Sequence, residues 1–517
     1  MNGTRGESGA NRGAVALAIM LPRIMQGLDT TIANVALPNM QGNLSASQGE
    51  IAWVLTSYIV AAAIMMPLTG WLAGRLGIKY VYFASVVGFT LASALCGSAT
   101  SLGELVFFRV LQGLSGAGLV PLSQAVLLQI YPVERHGQAM ALFGIGSIVG
   151  PISGPVLGGW LTDNYNWRWI FYINVPVGIL AAFGILVFLR EMGRAHRETF
   201  DFFGFLTLSF AVGALQLMLD RGQIKDWFGS TEIRVEAAVA VLAFYLFVIH
   251  TVTARGPSFF NRDLLKSPNY LGGIALIFFL GVILNGTLAL LPTMLQTLLG
   301  YPAVTAGVAT APRAAGTLIA MFLVARLIGR VDSRLLILTG LLVSAFALWQ
   351  MSHFSLHMGM LPVILSGFGQ GFGVGCIFVP VNTLALSRLP RRILTQGTAI
   401  RSLLRNIGGS LGISALEAEL AVNTQVVHSR LVEAVRPDNL FARAPYLAAP
   451  LSLSNPQGLA AINNEVTQQA AMVAYIDNFH VMMIIILASL PLLLLLRPPS
   501  LAAATGELPA AQTREAD

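Results

Sequence analysis

Time after time along this chain, about twenty residues pass with scarcely a charge among them. The hydrocarbon core of a bilayer is about 30 Å thick, and a helix crosses it in about 20 apolar residues. Fourteen such runs are read, at 14–36, 51–73, 80–98, 104–128, 138–161, 169–190, 202–219, 233–253, 270–295, 304–328, 334–352, 361–386, 397–420 and 479–496. Strand alternation is absent, and within lipid every backbone polar group must be paired inside the protein, so the runs are expected to be helices. The expected fold class is therefore an all-α membrane protein with 14 transmembrane helices. The run 202–219 is short, and 397–420 is interrupted by Arg401, Arg405, Glu417 and Glu419. The first run has no small-residue cleavage site and continues into the polar stretch GLDTTIANVALP, so it is read as a span rather than a removed leader.

Composition agrees. The chain is 55% hydrophobic and 11% charged, where soluble domains carry about 25% charged residues. The net charge of +7 could suggest nucleic acid, but the basic residues are scattered between apolar runs and form no basic face, so no nucleic-acid partner is expected. Cys96 and Cys376 lie far apart in apolar segments, which gives neither a disulfide framework nor a metal site.

The basic residues instead report topology, because cytoplasmic loops are enriched in Lys and Arg. With the N-terminus inside, Arg75, Lys79, Arg135, Arg190, Arg194, Arg197, Arg255, Arg262, Lys266, Arg326, Arg330, Arg334, Arg388, Arg391 and Arg392 all fall on the cytoplasmic side. An even number of spans returns the C-terminus to that side. Ser47-x-x-Glu50 and Ser101-x-x-Glu104 read as capping boxes. Trp160, Tyr165, Trp167, Trp169 and Tyr172 read as an aromatic belt at the outer interface. The outer loop 421–478 contains NNEVTQQA, which is expected to be helical outside the membrane.

Three short matches recur in order. LDTTIANVALP in span one resembles LNGTLALLP at 284–292, GRLGIK at 74–79 resembles ARLIGR at 325–330, and QGLSGAGLVP at 112–121 resembles QGFGVGCIFVP at 370–380. Transporters are often built from such repeats. The expected layout is a cytoplasmic tail 1–13, a six-helix half 14–190, inserted helices seven and eight at 191–253, a second six-helix half 254–496 and a cytoplasmic tail 497–517. In the second half Asn285 replaces Asp29, and Gly367 stands where Arg109 stands, three residues before the shared glutamine.

That comparison singles out Asp29. A carboxylate at mid-bilayer costs about 2.5–3.5 kcal/mol on insertion scales, and acids within spans are functional by default. Burial favours the neutral acid and a nearby cation favours the carboxylate, so its ionisation can follow conformation. Arg109, in FFRVLQG, is the candidate fixed cation, since arginine does not lose its proton in proteins. The alternative for this pair is a structural ion pair, or two residues close to the outer surface.

The stretch at 144–159 spaces Gly146, Gly150, Gly154 and Gly158 four apart, with Pro151, Pro155 and Gly159 among them, and suits close helix contact. Asn34, Gln124, Arg313, Asn382, Arg401 and Arg405 are candidates for a polar substrate cavity. The arginines favour anionic amphiphiles, with cationic solutes left open. His353 and His357 have helical metal-pair spacing but no third ligand, so no metal is expected. No G-x-x-x-x-G-K-[ST] loop occurs, so nucleotide hydrolysis is not expected and proton motive force is the candidate energy source, with no cofactor. An importer or uniporter, and a non-transporting sensory subunit, remain alternatives. A membrane enzyme would need an embedded nucleophile or metal set, and none is found.

The quoted motifs LDTTIANVALP, GWLAGRLGIKY, FFRVLQGLSGAG and GPISGPVLGG, together with VPLSQAVLL and DNYNWRWIFYINVPVG, resemble the fourteen-span drug/proton antiporters of the major facilitator superfamily, EmrB-type exporters in particular. The resemblance runs over nearly the whole chain. It implies the major facilitator fold and a proton-coupled exporter of amphipathic molecules in the inner membrane of a Gram-negative bacterium. It also implies an EmrA-type periplasmic adaptor and a TolC-type outer-membrane channel as partners. The family's first-span acid corresponds to Asp29 and its fourth-span arginine to Arg109, in the motif that continues through Gln112 and Gly113. Its cytoplasmic gating motif corresponds to Gly70, Arg75, Gly77 and Lys79. Many members carry an acid where this chain has Gly74, so no charge lock is expected there.

Overall fold

Length and hydropathy decide the architecture before packing does. The computed structural model describes residues 9–132, 135–191, 200–253, 260–386, 389–435 and 456–496. Among these it is all-helical, with fourteen long helices. The first six are α1 (Gly9–Asn43), α2 (Trp53–Leu76), α3 (Ile78–Ser98), α4 (Leu102–Ile130), α5 (His136–Asn164) and α6 (Trp169–Phe188). Two follow as α7 (Phe202–Arg221) and α8 (Thr231–Thr253). The last six are α9 (Pro268–Thr297), α10 (Val304–Leu327), α11 (Ser333–Met351), α12 (Met360–Leu386), α13 (Arg391–Ala434) and α14 (Pro456–Ala488). Thirteen are long and apolar enough to cross a membrane by composition alone. The exception is α13, the same interrupted segment, which is nonetheless one continuous helix of 44 residues. The face at which α1 begins is called the near face below, and the opposite one the far face.

The two sets of six repeat one another in their contacts. In the first, α5 lies against α1 so tightly that a Cβ on Gly150 would stand 2.6 Å from the Ile24 carbonyl and 2.7 Å from the Leu28 nitrogen. In the second, Gly408 and Gly412 of α13 touch the carbonyls of Phe278 and Val282 in α9. Gly113 of α4 meets the Tyr58 carbonyl of α2, and Gly371 of α12 meets the Arg313 carbonyl of α10. Small residues bring backbones together where lipid removes the hydrophobic drive to associate. Helix α7 packs on both α2 and α13: its Gln216 donates to Ser410 at 2.6 Å, and Gly213 faces Ile64. Helix α8 turns Val241, Tyr245 and Val252 outward, as a lipid-facing helix must.

Several expectations need correction. NNEVTQQA is helical as expected, but it lies inside α14, which begins at Pro456, and α13 continues to Ala434, so the described parts of 421–478 are extensions of spans and not a loop. At 1.5 Å per residue α13 is about 66 Å long, so it stands well clear of a 30 Å core. Asn423 pairs with Asp477 at 2.7 Å and His428 with Asn463 at 3.1 Å, tying the two extensions into a hairpin beyond the far face. Ser47 and Glu50 form a complete capping box, but Glu104 turns instead to the Thr100 backbone and hydroxyl, at 2.8 and 2.9 Å. Trp160, Tyr165 and Trp169 are exposed and adjacent, whereas Trp167 is buried at 2% exposure beside Phe171. Its ring is therefore core and not belt. Gly159 has nothing within 4 Å of an added Cβ, unlike Gly146, Gly150, Gly154 and Gly158, which all touch α1. The Pro155 side chain, the basic residues Arg194, Arg197, Arg255, Arg388, Arg436 and Arg443, and the tail 497–517 lie outside what is described.

The α1–α5 seam makes a direct test. Gly150→Ala forces a Cβ into backbone and is expected to cost about 1–3 kcal/mol, as overpacking does. Gly159→Ala enters open space and should gain up to about 1 kcal/mol of helix propensity. Thermal unfolding of the two variants in detergent should therefore shift in opposite directions.

Candidate functional site

Asp29 lies midway along α1, at 2% exposure. Arg109 comes from α4, about two turns from its far-face end, and is fully buried. Arg109 Nη1 donates to Asp29 Oδ2 at 2.8 Å. The other carboxylate oxygen, Oδ1, accepts from Gln112 Nε2 and from Asn174 Nδ2, both at 2.9 Å. Arg109 Nη1 also reaches Gln112 Oε1 at 2.7 Å, and its Nε donates to the Val54 carbonyl at 2.9 Å. Its guanidinium carbon stands 4.4 Å from the Tyr58 ring centre and 5.8 Å from that of Phe171. Asn174 is held in turn by Ser93 at 3.0 Å, and Ser93 donates to the Phe171 carbonyl at 2.9 Å. The carboxylate of α1 thus takes its donors from α4 and α6, and α2 and α3 hold those donors in place.

The arrangement satisfies a buried charge pair in the way that makes one tolerable. Desolvation of two ions is offset only when the geometry is good and the remaining lone pairs are filled. Here both oxygens are occupied, and the aromatic faces of Tyr58 and Phe171 lie against the cation. Sequence reasoning missed Asn174, Ser93 and Tyr58. Amides, hydroxyls and phenols are unremarkable in apolar helices, and only Gln112, adjoining Arg109 in the motif, was flagged.

A polar thread leads from this site toward the near face. Tyr58 Oη accepts from Gln26 Nε2 at 3.3 Å, and Gln26 Oε1 accepts from Arg23 at 3.5 Å. Arg23 also donates to Ser147 of α5 at 3.0 Å. Deeper toward the near face, Arg401 is fully buried and donates to Gln124 Oε1 and Asn382 Oδ1, while Gln124 Nε2 approaches Asn382 Oδ1 at 3.4 Å. Arg405 is half-buried one turn on from Arg401. Arg313 donates to the Leu284 carbonyl at 3.0 Å. Among the described residues, no carboxylate forms an ion pair with Arg23, Arg313, Arg401 or Arg405. Asn34 does not join them. It is exposed on α1, eleven residues beyond Arg23, or about 16 Å at the helical rise.

The near-face ends of the two sets are in contact. Phe143 of α5 and Phe378 of α12 stack with centroids 6.3 Å apart. A Cβ on Gly70 would lie 2.9 Å from Gln396 Cα, and one on Gly137 would lie 2.8 Å from Ile328. The turn after α2 needs Gly77, whose φ is +96° and which faces the Glu191 carboxylate. Lys79 donates to the Leu186 carbonyl at 2.9 Å, and Arg75 lies over the Trp71 ring at 5.3 Å. Gly74 touches nothing. In the second set, Asn285 bonds back to the Gly281 carbonyl and Gln370 donates to Thr287 at 2.8 Å, so the position of Asp29 is neutral there. Gly408–Gly412 spells G-x-S-x-G, but in mid-helix rather than at a strand-to-helix turn, and Ser410 is taken by Gln216. No group of three or more metal-ligating side chains occurs among the described residues.

The family model described as Major Facilitator Superfamily matches residues 19–413. The chain belongs to the major facilitator superfamily. It is a multi-pass membrane transporter, not an enzyme. It is 37% identical over 494 residues to the multidrug export protein EmrB of Escherichia coli K12, covering 95% of this chain and 96% of that one. It is 36% identical over 500 residues to the fatty acid resistance protein FarB of Neisseria gonorrhoeae, covering 95% and 97%. Among solved structures, the human organic anion transporter MFSD10 superposes with a TM-score of 0.60 at 14% identity, covering 92% of this chain and 99% of that one. The proton:xylose symporter XylE gives 0.57 at 14% identity, covering 92% and 95%. These structural likenesses bear on the fold of this superfamily member alone.

Removing one partner from a buried ion pair costs about 3–5 kcal/mol, because the other charge is left uncompensated. Arg109→Gln is therefore expected to lower thermal stability in detergent by that order. Asp29→Asn added to it should restore much of the loss. Additive losses in the double variant would show that the two groups do not interact.

Proposed function

We propose that this chain is a proton-coupled exporter of amphipathic anions that works by alternating access, with Asp29 as the group that carries the proton. The observation that carries this reading is a carboxylate occluded by Arg109, Gln112 and Asn174 while the near-face ends of the two sets of helices are closed. The near face bears Arg75, Lys79, Arg326 and Arg330 and is assigned to the cytoplasm by the positive-inside rule. The structure then corresponds to a state shut toward the cytoplasm.

Every member of the Asp29 clamp belongs to the first six helices, so rocking of two rigid bodies would not open it. A displacement of α1 against α4 would. The glycine seam with α5 gives α1 a smooth backbone surface on which to shift, and the Arg23–Gln26–Tyr58 thread links its cavity side to the clamp. Once Arg109 and the two amides draw back, the carboxylate takes a proton from outside, and the neutral acid no longer requires the cation. Once the near face has opened, return of α1 restores the clamp and expels the proton to the cytoplasm, and the near face then closes over the clamped carboxylate.

Arg23, Arg313, Arg401 and Arg405 give the interior a positive field, since Asp29 is taken by Arg109 and no carboxylate among the described residues forms an ion pair with any of the four, which favours anionic solutes. The name of FarB, a fatty acid resistance protein, agrees with an anionic amphiphile. The relatives named as multidrug exporters favour export over import. The placement in an inner membrane, with an EmrA-type periplasmic adaptor and a TolC-type channel beyond it, follows the resemblance to EmrB. The α13–α14 hairpin stands on the outer side, where such an adaptor would meet it.

The test is flux in proteoliposomes under an imposed pH gradient, using octanesulfonate and octyltrimethylammonium as probes whose charge does not change with pH. The wild type is expected to drive octanesulfonate against its gradient and to prefer it to the cation. Asp29→Asn should lose gradient-driven transport while retaining solute exchange at zero gradient. Gradient-driven transport at the wild-type rate by Asp29→Asn would overturn the proton assignment. Equal transport of both probes would overturn the substrate class.

A further inference from the structure

Arg401 is the most deeply buried cation described in the second set, and the way it is held is unusual. Its Nη1 donates to Asn382 Oδ1 on α12, a neighbour within the same half. Its Nη2 donates to Gln124 Oε1 on α4, across the seam between the halves. Its Nε is buried with no partner among the described residues. A guanidinium in such a place is ordinarily matched by a carboxylate, and here it has two neutral amide oxygens. Nearby Arg23 and Arg405 add positive charge rather than relieve it.

The edges of the guanidinium matter. Nε and Nη2 point the same way and form the side-on fork that accepts a carboxylate or sulfonate through two parallel bonds. One tine of that fork is held by Gln124 of the opposite half, and the other is idle. When the near face opens, α4 and α13 must part, and the Gln124 bond is the one that breaks. Arg401 then keeps Asn382, which fixes its orientation, and presents a complete Nε–Nη2 edge to the newly opened space. The Gln124 amide offers that edge a single neutral oxygen, whereas a sulfonate or carboxylate offers two charged oxygens in parallel, so an anionic head group would outcompete the amide for that edge. Phe143 and Phe378, stacked across the same seam, come apart in the same movement and offer apolar wall to an alkyl chain.

We propose that Arg401 is both the latch that closes the cytoplasmic side, through Gln124, and the receptor that takes the anionic head group of the solute when that side is open. Closing the latch and holding the solute there are then mutually exclusive, so closure itself displaces the head group toward the outer half. This deepens the export reading and rests on it, but its test uses neither a gradient nor Asp29.

Spin labels on cysteines introduced at Leu76 and Arg330, exposed near-face positions of opposite halves, report opening; the native Cys96 and Cys376 are buried. Octanesulfonate and octyltrimethylammonium binding is measured at equilibrium on the same full-length protein. Gln124→Ala should lengthen the label separation and leave octanesulfonate binding as tight as wild type or tighter. Arg401→Gln should also lengthen it but weaken octanesulfonate by about tenfold or more, with the cation unaffected. Arg401→Lys, which keeps the charge without the fork, should fall between, and it decides the receptor role should Arg401→Gln fail to fold. An unchanged separation in Gln124→Ala would overturn the latch. Wild-type octanesulfonate affinity in Arg401→Gln or in Arg401→Lys, or equal loss in Gln124→Ala, would overturn the receptor. Either failure leaves the role of Asp29 standing, and loss of that role leaves these results untouched.

Discussion

A carboxylate at the depth of a lipid bilayer has to be answered by something, and in this transporter it is answered by three donors from two other helices. Arg109 and Gln112 reach Asp29 from α4, and Asn174 reaches it from α6. Tyr58 and the Val54 carbonyl of α2 hold Arg109 in turn. The clamp therefore fixes the relative positions of most of the first half. It also concentrates the electrostatics, because any movement of α1 that lengthens those bonds turns a stable carboxylate into an isolated buried charge. In the scheme proposed here, that is the moment at which the proton is taken up.

The two halves share a packing plan and divide the chemistry. Gly113 against Tyr58 in the first half corresponds to Gly371 against Arg313 in the second. Where the first half has an acid, a cation and a phenol, the second has Asn285, Gly367 and an arginine. One half thus carries the acid that can bind a proton. The other carries Arg313, Arg401 and Arg405, which no carboxylate among the described residues pairs and which suit an anion. In the scheme proposed here the seam between the halves is where these roles meet, and the latch of Arg401 on Gln124 lies on that seam.

Much of the fold could be read from hydropathy, since span length is set by the bilayer and not by tertiary detail. Helix α13 was legible only as a weak span: Arg401 and Arg405 face the protein interior and Glu417 and Glu419 lie toward the far end, and hydropathy does not know which way a side chain turns. Asp29 and Arg109 stood out because charges are rare in apolar runs. Asn174 and Ser93 did not, because uncharged polar groups are common there and their role depends on a partner 145 or 81 residues away. Gln124, Asn382 and Arg401 were each named as cavity residues, yet their union is a tertiary fact joining positions 258 and 277 residues apart. Trp167 misled for the converse reason. It sits among belt residues in sequence, but the turn that opens α6 rotates it inward.

Proton release on solute binding is the most direct measurement of the proposed energy coupling. Detergent-solubilised protein is brought, in weak buffer with a pH indicator, to a pH low enough for Asp29 to be protonated, and octanesulfonate is added. The wild type is expected to release protons as the anion binds, and Asp29→Asn is expected to bind the same anion without releasing any. Equal proton release by the two proteins would contradict Asp29 as the coupling group.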